Sequence, residues 1–207
     1  MNKIILKGII KDIQYSHTVQ NIEYYKANLL VKREGNGNKE DLICLKFKRF
    51  SCPYKDGDEI TLIGNIRTYS QRLGDRNKVE IYVFTYFDVP EEITSCNACE
   101  LSGRICKKNP IRKTSEGKDV LDFIIANNLR TENQSLNCYI PCVAWGKCAK
   151  AIDKLEVGDS INISSSLHSR EYKKKISDED FELHLAHELS INNFNTDKEE
   201  VANEISI

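Results

Sequence analysis

The chain has 207 residues, of which 40% are hydrophobic and 29% charged, and its formal net charge is -1. This length exceeds the needs of one small five-stranded barrel and suits two domains of roughly 100 residues each. No stretch approaches the roughly 18 apolar residues that a membrane span requires. The first residues, MNKIILKGIIKD, lack a small-residue cleavage site and predict a strand rather than a signal peptide. We therefore expect a cytoplasmic protein without a membrane partner.

Neither the charge balance nor the cysteines identify a ligand. Residues 1–90 are net basic, with 15 Lys and Arg against 11 Asp and Glu, so support for nucleic-acid binding must come from where the cations lie. Eight cysteines without an export signal predict reduced thiols. Cys96 and Cys99 have metal-like spacing, with Cys106 as a third candidate, but no second pair follows at zinc-finger spacing. We favour free thiols over a structural zinc ion and expect no cofactor.

Five strands are predicted in residues 1–90 from the alternation of apolar and polar residues. They span residues 3–13, 24–31, 42–48, 60–69 and 79–87. Gly8 lies inside the first strand, where a glycine often marks a bend at a barrel corner. Residues 34–38 and Gly57-Asp58 are turn signals, and Cys52-Pro53-Tyr54 breaks the pattern after the third strand. This order predicts a barrel.

Residues 139–158, YIPCVAWGKCAKAIDKLEVG, predict a strand, a short helix and a turn before the next strand begins at Ser160. Alternation assigns residues 140, 142 and 144 to the core face of the strand. The other face carries Tyr139, Pro141, Val143 and Trp145. One face can therefore pack a core while the other presents rings.

The second half of the sequence repeats the first. Residues 4–11 align with residues 99–106 at a shift of 95, and residues 57–60 align with residues 158–161 at a shift of 101. Two copies of one domain explain the length. Residues 88–95, with Pro90-Glu91-Glu92, predict a short linker. Residues 195–207 lack aromatic residues and a strand pattern, which predicts an acidic flexible tail.

From about residue 97 to residue 189 the sequence resembles bacterial single-stranded DNA-binding proteins of the oligonucleotide-binding (OB) fold class. The positions that carry the resemblance are Leu101, Gly103, Arg112, Thr114, Gly117, Phe123, Ala126, Tyr139, Trp145-Gly146-Lys147, Leu155, Gly158-Asp159 and Ser169-Arg170-Glu171-Tyr172. The resemblance, together with the internal repeat, implies an all-β fold. We expect two tandem five-stranded OB-fold barrels, each with a short helix between strands 3 and 4. Residues 1–90 are the divergent copy, and residues 96–194 are the copy of the single-stranded DNA-binding type.

The resemblance implies that Tyr139, Trp145 and Tyr172 are stacking residues. We expect Tyr172 in a long loop between the fourth and fifth strands. Cations around these rings would follow the phosphate backbone. They are Arg112, Arg170, Lys173, Lys174 and Lys175.

The sequence of the first domain predicts an open face that differs from that of the second domain. If Ile43, Leu45 and Phe47 point inward, Lys46 and Lys48 point outward, because the other register would bury Lys46. The predicted open face consists of Tyr24, Lys26, Asn28, Lys46, Lys48, Arg67 and Tyr69, with Arg72, Arg76 and Lys78 in the last hairpin. This is a phosphate-tracking surface with few rings. We expect weaker and more salt-dependent binding there, or a role in assembly.

Catalytic motifs are lacking. The sequence has no P-loop, nucleophile elbow or HExxH motif. His184 and His187 lie three apart in a strand and therefore face opposite sides. Residues 178–180 form an acidic cluster without a His or Lys motif beside it. We expect that the protein is not an enzyme.

The sequence therefore predicts a protein that coats and protects single-stranded DNA in replication, recombination or repair. By analogy with family members that use four barrels, we expect a homodimer. Two alternatives remain open, an RNA-binding OB protein and an assembly module that holds a protein partner of a primosome, plasmid or phage. The tail is acidic but lacks the aromatic-proline tip with which family members recruit replication and repair proteins, so recruitment and a frayed end both remain open.

Overall fold

The computed structural model describes residues 1–33, 39–73, 76–87, 97–131, 134–175 and 181–196. Five predicted features lie outside these residues. They are the turn at 34–38, the linker at 88–95 with Cys96, the acidic cluster at 178–180, the side chains of residues 70–73, 76–78 and 173–175, and the tail from residue 197. The last described strand reaches Asn195, and Thr196 is buried, so these two residues belong to the folded part rather than to the tail.

The chain is all-β with one short α-helix among the described residues. The first half contains β1 (Asn2–Val19), β2 (Ile22–Lys32), β3 (Glu40–Lys48), a 3-10 turn (Arg49–Ser51), β4 (Glu59–Leu73) and β5 (Arg76–Thr85). The second half contains β6 (Asn97–Lys108), β7 (Arg112–Lys113), β8 (Asp119–Arg130), β9 (Ser135–Trp145), α1 (Gly146–Asp153), β10 (Ser160–Lys175) and β11 (Phe181–Asn195).

Strand pairing closes into a circuit in each half. In the first half β1 pairs with β2 and β4, β2 with β3, and β4 with β5, all antiparallel, and a short parallel pairing of β3 with β5 completes the circuit. In the second half β6 pairs with β8 and β10, β8 with β9, and β10 with β11. A short parallel pairing of β9 with β11 closes this circuit.

The two halves are joined edge to edge. Antiparallel pairing of β1 with β6 runs from Asn2 opposite Leu101 to Leu6 opposite Asn97. The eleven strands of the described residues therefore belong to one hydrogen-bonded sheet.

The core follows from the period-two alternation. Ile43, Leu45 and Phe47 are buried while Lys46 and Lys48 are more exposed, which confirms the predicted register of β3. In β9, Cys138, Ile140, Cys142 and Ala144 are buried in the same way. The cysteines of the described residues are free thiols.

The aligned anchor positions of the two halves have the same local hydrogen bonds. Ile10 donates to the carbonyl of Asp58 and accepts from the amide of Gly57, at 3.0 and 2.8 Å. Ile105 does the same with Asp159 and Gly158, at 3.0 and 2.7 Å. The turn after the helical segment is thus fixed to the first strand in the same manner in both halves.

A buried carboxylate links the halves at a second place. Asp41 of β3 is fully buried and accepts hydrogen bonds from Arg33, from the ring of His168 at 2.9 Å and from the amide of Ser169 at 2.7 Å. Leu42 donates to the hydroxyl of Ser169 at 2.9 Å. These bonds hold the β10–β11 hairpin against β3.

Among the described residues, no helix is long and apolar enough to cross a bilayer. The same residues contain no group of three His, Cys, Asp or Glu side chains placed to hold a metal ion.

Candidate nucleic-acid interface

Trp145 and Tyr139 lie on the outward face of β9. Trp145 is 44% exposed and Tyr139 is 52% exposed. Adjacent residues of a strand point to opposite faces, so the residues next to these two, such as Ile140 and Ala144, point into the core. Val143 is on the same face but is only 3% exposed. Val143 lies opposite Ser190 where β11 pairs with β9. The exposed rings of Tyr139 and Trp145 therefore lie on either side of a buried residue of the same face.

Trp145 shares a groove of about 500 Å³ with Arg112 and Arg170. The guanidinium group of Arg112 donates to Asp122 at 2.9 and 3.0 Å, and that of Arg170 donates to Glu188 at 3.2 Å. Both carboxylates line the same groove. They orient the cations beside the indole, where a ring and positive charge can bind a base and its phosphate together.

Tyr139 lies in a different groove of about 610 Å³, which it shares with Met1, Arg104, Asn128 and Asn137. The backbone amide of Tyr139 donates to the hydroxyl of Thr68 in β4 at 3.0 Å. Tyr139 therefore lies at the junction with the first half, although it is on the same strand face as Trp145.

Tyr172 lies in a strand, so the expectation of a loop at this position is wrong. β10 extends to Lys175 and pairs with β11 along its whole outer length, which places Tyr172 directly opposite His184. The two rings stack with centroids 5.6 Å apart, and the guanidinium of Arg170 lies 5.8 Å from the Tyr172 ring. Lys173 and Lys174 continue the backbone of β10, but their side chains lie outside the described part.

The first half contains a groove of about 890 Å³, which we call the aromatic groove. Its rings include His17, Tyr24, Tyr69, Tyr82, Phe84 and Tyr86. The expectation that this surface has few rings is therefore wrong. Tyr82, Phe84 and Tyr86 recur at a spacing of two, and this alternation is the sequence signal that would have found them.

Lysines and rings interleave along this groove. Lys46 lies 4.1 Å from the centre of the Tyr82 ring and 6.0 Å from that of Tyr69, and Lys48 lies on the same wall. Tyr24 stacks flat on His17, with centroids 5.0 Å apart. Burial raises the pKa of the Tyr82 phenol, so this hydroxyl stays protonated. Lys26 lies opposite Lys46 in the β2–β3 register but does not line the groove.

Arg67 lines this groove with Tyr24, Lys46, Lys48 and Tyr69, as predicted, but its side chain is buried rather than exposed. The residue is 8% exposed, because its side chain packs against the rings of β5. The guanidinium lies 3.9 Å from the centre of the Phe84 ring, and Nη2 donates to the Tyr86 hydroxyl at 3.2 Å. Nε has no hydrogen-bond partner among the described residues.

Residues 96–195 match the sequence model of the single-strand binding protein family. The second half of the chain is therefore similar to the single-strand binding protein family. Members of the family are non-enzymatic proteins that bind single-stranded DNA and typically form oligomers. No curated protein sequence matches the chain.

Two crystal structures share the fold of nearly the whole chain. They are the wild-type single-stranded DNA binding protein from Thermus aquaticus and a deletion mutant of that protein. Each superposes with a TM-score of 0.70 and 16% identity over 95% of this chain and over 92% and 94% of those chains, respectively. At this identity the similarity is one of fold.

The predicted site residues thus form three groups. Trp145, Arg112 and Arg170 lie together in the second half of the chain, with Tyr172 beside Arg170. Tyr139 lies at the junction of the halves. Tyr24, Lys46, Lys48, Arg67 and Tyr69 share the aromatic groove of the first half.

Proposed function

We propose that this chain binds single-stranded DNA without catalysis, and that it coats and protects the strand during replication, recombination or repair. The observation that best supports the proposal is the exposed position of Trp145. This single tryptophan is 44% exposed in a groove that it shares with two guanidinium groups, within the residues that match the model of the single-strand binding protein family. A flat ring stacks on any base, so binding of this kind is tolerant of sequence.

The proposed architecture is two five-stranded OB-fold barrels in tandem, residues 1–90 and 96–194. The matching circuits of strand pairing and the equivalent bonds of Ile10 and Ile105 support two copies of one domain. The similarity of fold to the Thermus aquaticus protein over 95% of the chain also supports this arrangement. We infer a homodimer, which light scattering would detect as a mass of twice 23.8 kDa.

The strand is proposed to run past the three exposed rings of the second half. Trp145 and Tyr139 each take a base, and Tyr172 adds a third stacking surface on the β10–β11 hairpin. Arg112 and Arg170 contact phosphates, and Asp122 and Glu188 orient the two guanidinium groups. Lys173 and Lys174 extend this cationic path along β10.

Titration with oligo(dT) while following tryptophan fluorescence tests the proposal, because the signal comes from Trp145 alone. We expect quenching at low salt and a loss of affinity for Trp145→Ala of about 5- to 150-fold, from a stacking energy of about 1–3 kcal/mol per base. Trp145→Phe, which keeps a ring, should lose less. Affinity of the alanine variant is measured by electrophoretic shift, since this variant has no tryptophan.

Three results would contradict the proposal. They are an unquenched indole at saturating oligo(dT), a Trp145→Ala variant that binds as tightly as the wild type, and equal binding of single- and double-stranded DNA. Competition between oligo(dT) and oligo(U) separates a DNA-binding from an RNA-binding protein, because only RNA offers the 2′-hydroxyl.

A further inference from the structure

The outer part of the β10–β11 hairpin extends beyond the strand pairing of its own half. β11 pairs with β9 at Leu189 and Ser190, and β10 pairs with β6 over residues 160–165. Further out, the described pairing of residues 166–175 and 181–188 is that of β10 with β11. A two-stranded ribbon is marginally stable by itself. The direction in which this ribbon points therefore depends on contacts with other parts of the chain.

The first half of the chain holds the ribbon at Ser169. The amide of Ser169 donates to the carboxylate of Asp41 at 2.7 Å, and its carbonyl accepts from Arg33 at 3.1 Å. The hydroxyl of Ser169 accepts from the amide of Leu42 at 2.9 Å. His187, directly opposite Ser169, donates to the carbonyl of Leu42 at 2.8 Å. The amide, the carbonyl and the hydroxyl of Ser169 are thus all bonded to the first half.

The residues next to this contact are those proposed to bind DNA. His168, Arg170 and Tyr172 lie on one face of β10, because residues two apart in a strand share a face. Asp41 accepts from the ring of His168 at 2.9 Å. Glu188 lies opposite His168 and accepts from the guanidinium of Arg170 at 3.2 Å. Asp41 therefore fixes one end of a row of side chains that continues to Arg170 and Tyr172.

Solvent cannot replace the bonds that Asp41 makes. Its side chain is fully buried, and the guanidinium of Arg33 and the ring of His168 are mostly buried beside it. A buried polar network with all its bonds formed favours one arrangement of the groups it joins. Loss of the carboxylate would leave the ribbon free to move relative to the groove that Arg170 shares with Trp145.

We propose that Asp41 is a positioning residue for DNA binding. It holds Ser169 in place, so that Arg170 and Tyr172 meet the strand that stacks on Trp145. The first half thereby strengthens binding by the second half through this contact. The inference rests on the proposed binding of single-stranded DNA and states which residue of the first half controls the geometry of that site.

Asp41→Asn tests the inference by titration with oligo(dT) while Trp145 fluorescence is followed. The substitution keeps the shape of the side chain and one acceptor, and removes the charge that holds Arg33 and His168. Affinity should fall by about 2- to 10-fold, within the range of a coupling between contacting residues. Quenching at saturation should be unchanged, because the indole itself still stacks.

Glu40→Gln is the matched control, since it removes a negative charge from the exposed neighbour of Asp41 on β3. Loss of negative charge by itself strengthens attraction to DNA. Glu40→Gln should therefore bind at least as tightly as the wild type. Weaker binding by Asp41→Asn alone comes from the position of the ribbon rather than from the change in charge.

A double-mutant cycle separates positioning from a general loss of stability. Arg170→Ala/Tyr172→Ala removes the two groups that Asp41 is proposed to place, so adding Asp41→Asn should cause no further loss of affinity. Relative to Glu40→Gln, Asp41→Asn should also lower the slope of log affinity against log salt by about 0.7, as the loss of one phosphate contact does. Additive losses, or a slope equal to that of Glu40→Gln, would overturn the inference.

If Asp41→Asn does not fold, Ser169→Ala replaces it in the same cycle. Ser169→Ala keeps the carboxylate and removes the acceptor of Leu42. It should weaken binding in the wild-type background and cause no further loss in Arg170→Ala/Tyr172→Ala. Wild-type affinity of the tested variant would overturn the inference and leave the proposed function intact. A wild-type chain that binds no oligo(dT) would overturn both.

Discussion

Gly8 and Gly103 lie where the first strand of each half passes closest to its second strand. A Cβ added to Gly103 would fall 2.5 Å from the carbonyl oxygen of Ala126 and against Cγ2 of Ile125. A Cβ on Gly8 would meet the carbonyl oxygen of Leu30 in the same way. The sequence predicts a bend at Gly8, and the structure gives the reason, since two backbones approach too closely there for any side chain.

Substitution of this glycine tests the close approach. Gly103→Ala should lower the free energy of unfolding by about 1–3 kcal/mol, because the strands must separate to admit the methyl group. Glu100→Ala, at an exposed position of the same strand, is the control and should change it by less than about 0.5 kcal/mol. Urea unfolding of both variants gives the comparison, and equal midpoints would contradict the prediction.

Among the elements, the β10–β11 hairpin departs most from its prediction. The sequence suggests a loop with Tyr172 beside three lysines, because the alternation there is weak and charged residues interrupt it. In the fold, β10 and β11 pair from Asn162 opposite Asn195 to Lys175 opposite Phe181, with one register shift between Ser164 and Ser165, and make a long arm. Asp41 holds this arm to β3, and burial of its carboxylate is offset by hydrogen bonds from His168, Arg33 and Ser169. These bonds hold the pKa of Asp41 well below its usual range.

Removal of this carboxylate should weaken the attachment of the arm. Asp41→Ala should lower the free energy of unfolding by about 3–5 kcal/mol, because it leaves the partly buried Arg33 and His168 without their acceptor. Glu40→Ala, an exposed neighbour on the same strand, should have little effect. Chemical denaturation at neutral pH measures both. A loss below about 1 kcal/mol for Asp41→Ala would show that the arm is held by its strand pairing alone.

For the molecule as a whole, the contact between the halves predicts a dependence of stability on pH. His187 of β11 donates through Nε2 to the carbonyl of Leu42 at 2.8 Å, and burial lowers the pKa of this ring. The unfolded chain therefore binds a proton on His187 at a higher pH than the folded chain does. The stabilising contribution is complete above the unfolded pKa of about 6.5 and is lost as the pH falls through it. Asp41, with a lowered pKa, adds a further loss only below about pH 4.

Denaturant unfolding between about pH 7.5 and about pH 5.5 tests this dependence. The wild-type free energy of unfolding should fall toward the acid side. His187→Gln keeps a hydrogen-bond donor for Leu42 and removes the titrating ring, so its free energy of unfolding should fall less. Parallel pH profiles for the two proteins would exclude His187 as the source.

Much of the fold could be predicted because alternation and turn chemistry are local. The inward set of β3, the core face of β9, the short helix after Trp145 and the anchor turns at Gly57 and Gly158 all depend on spacing within one segment. The candidate site was less predictable. The rings of β5 were missed, and Arg67 was assigned to the surface, because burial of a long polar side chain depends on what the neighbouring strands place around it.

The sequence by itself determined the all-β class, the positions of most strands, the exposed face that carries Tyr139 and Trp145, and the family resemblance of the second half. Each of these is encoded in the order of residues along one segment or one domain. Only the tertiary structure decided that Tyr139 and Trp145 lie in separate grooves, that Arg67 is buried beside Phe84, and that the β8–β9 hairpin completes a groove of the first half. These features arise where strands distant in sequence meet, and the alternation within a single strand carries no information about which strand lies beside it.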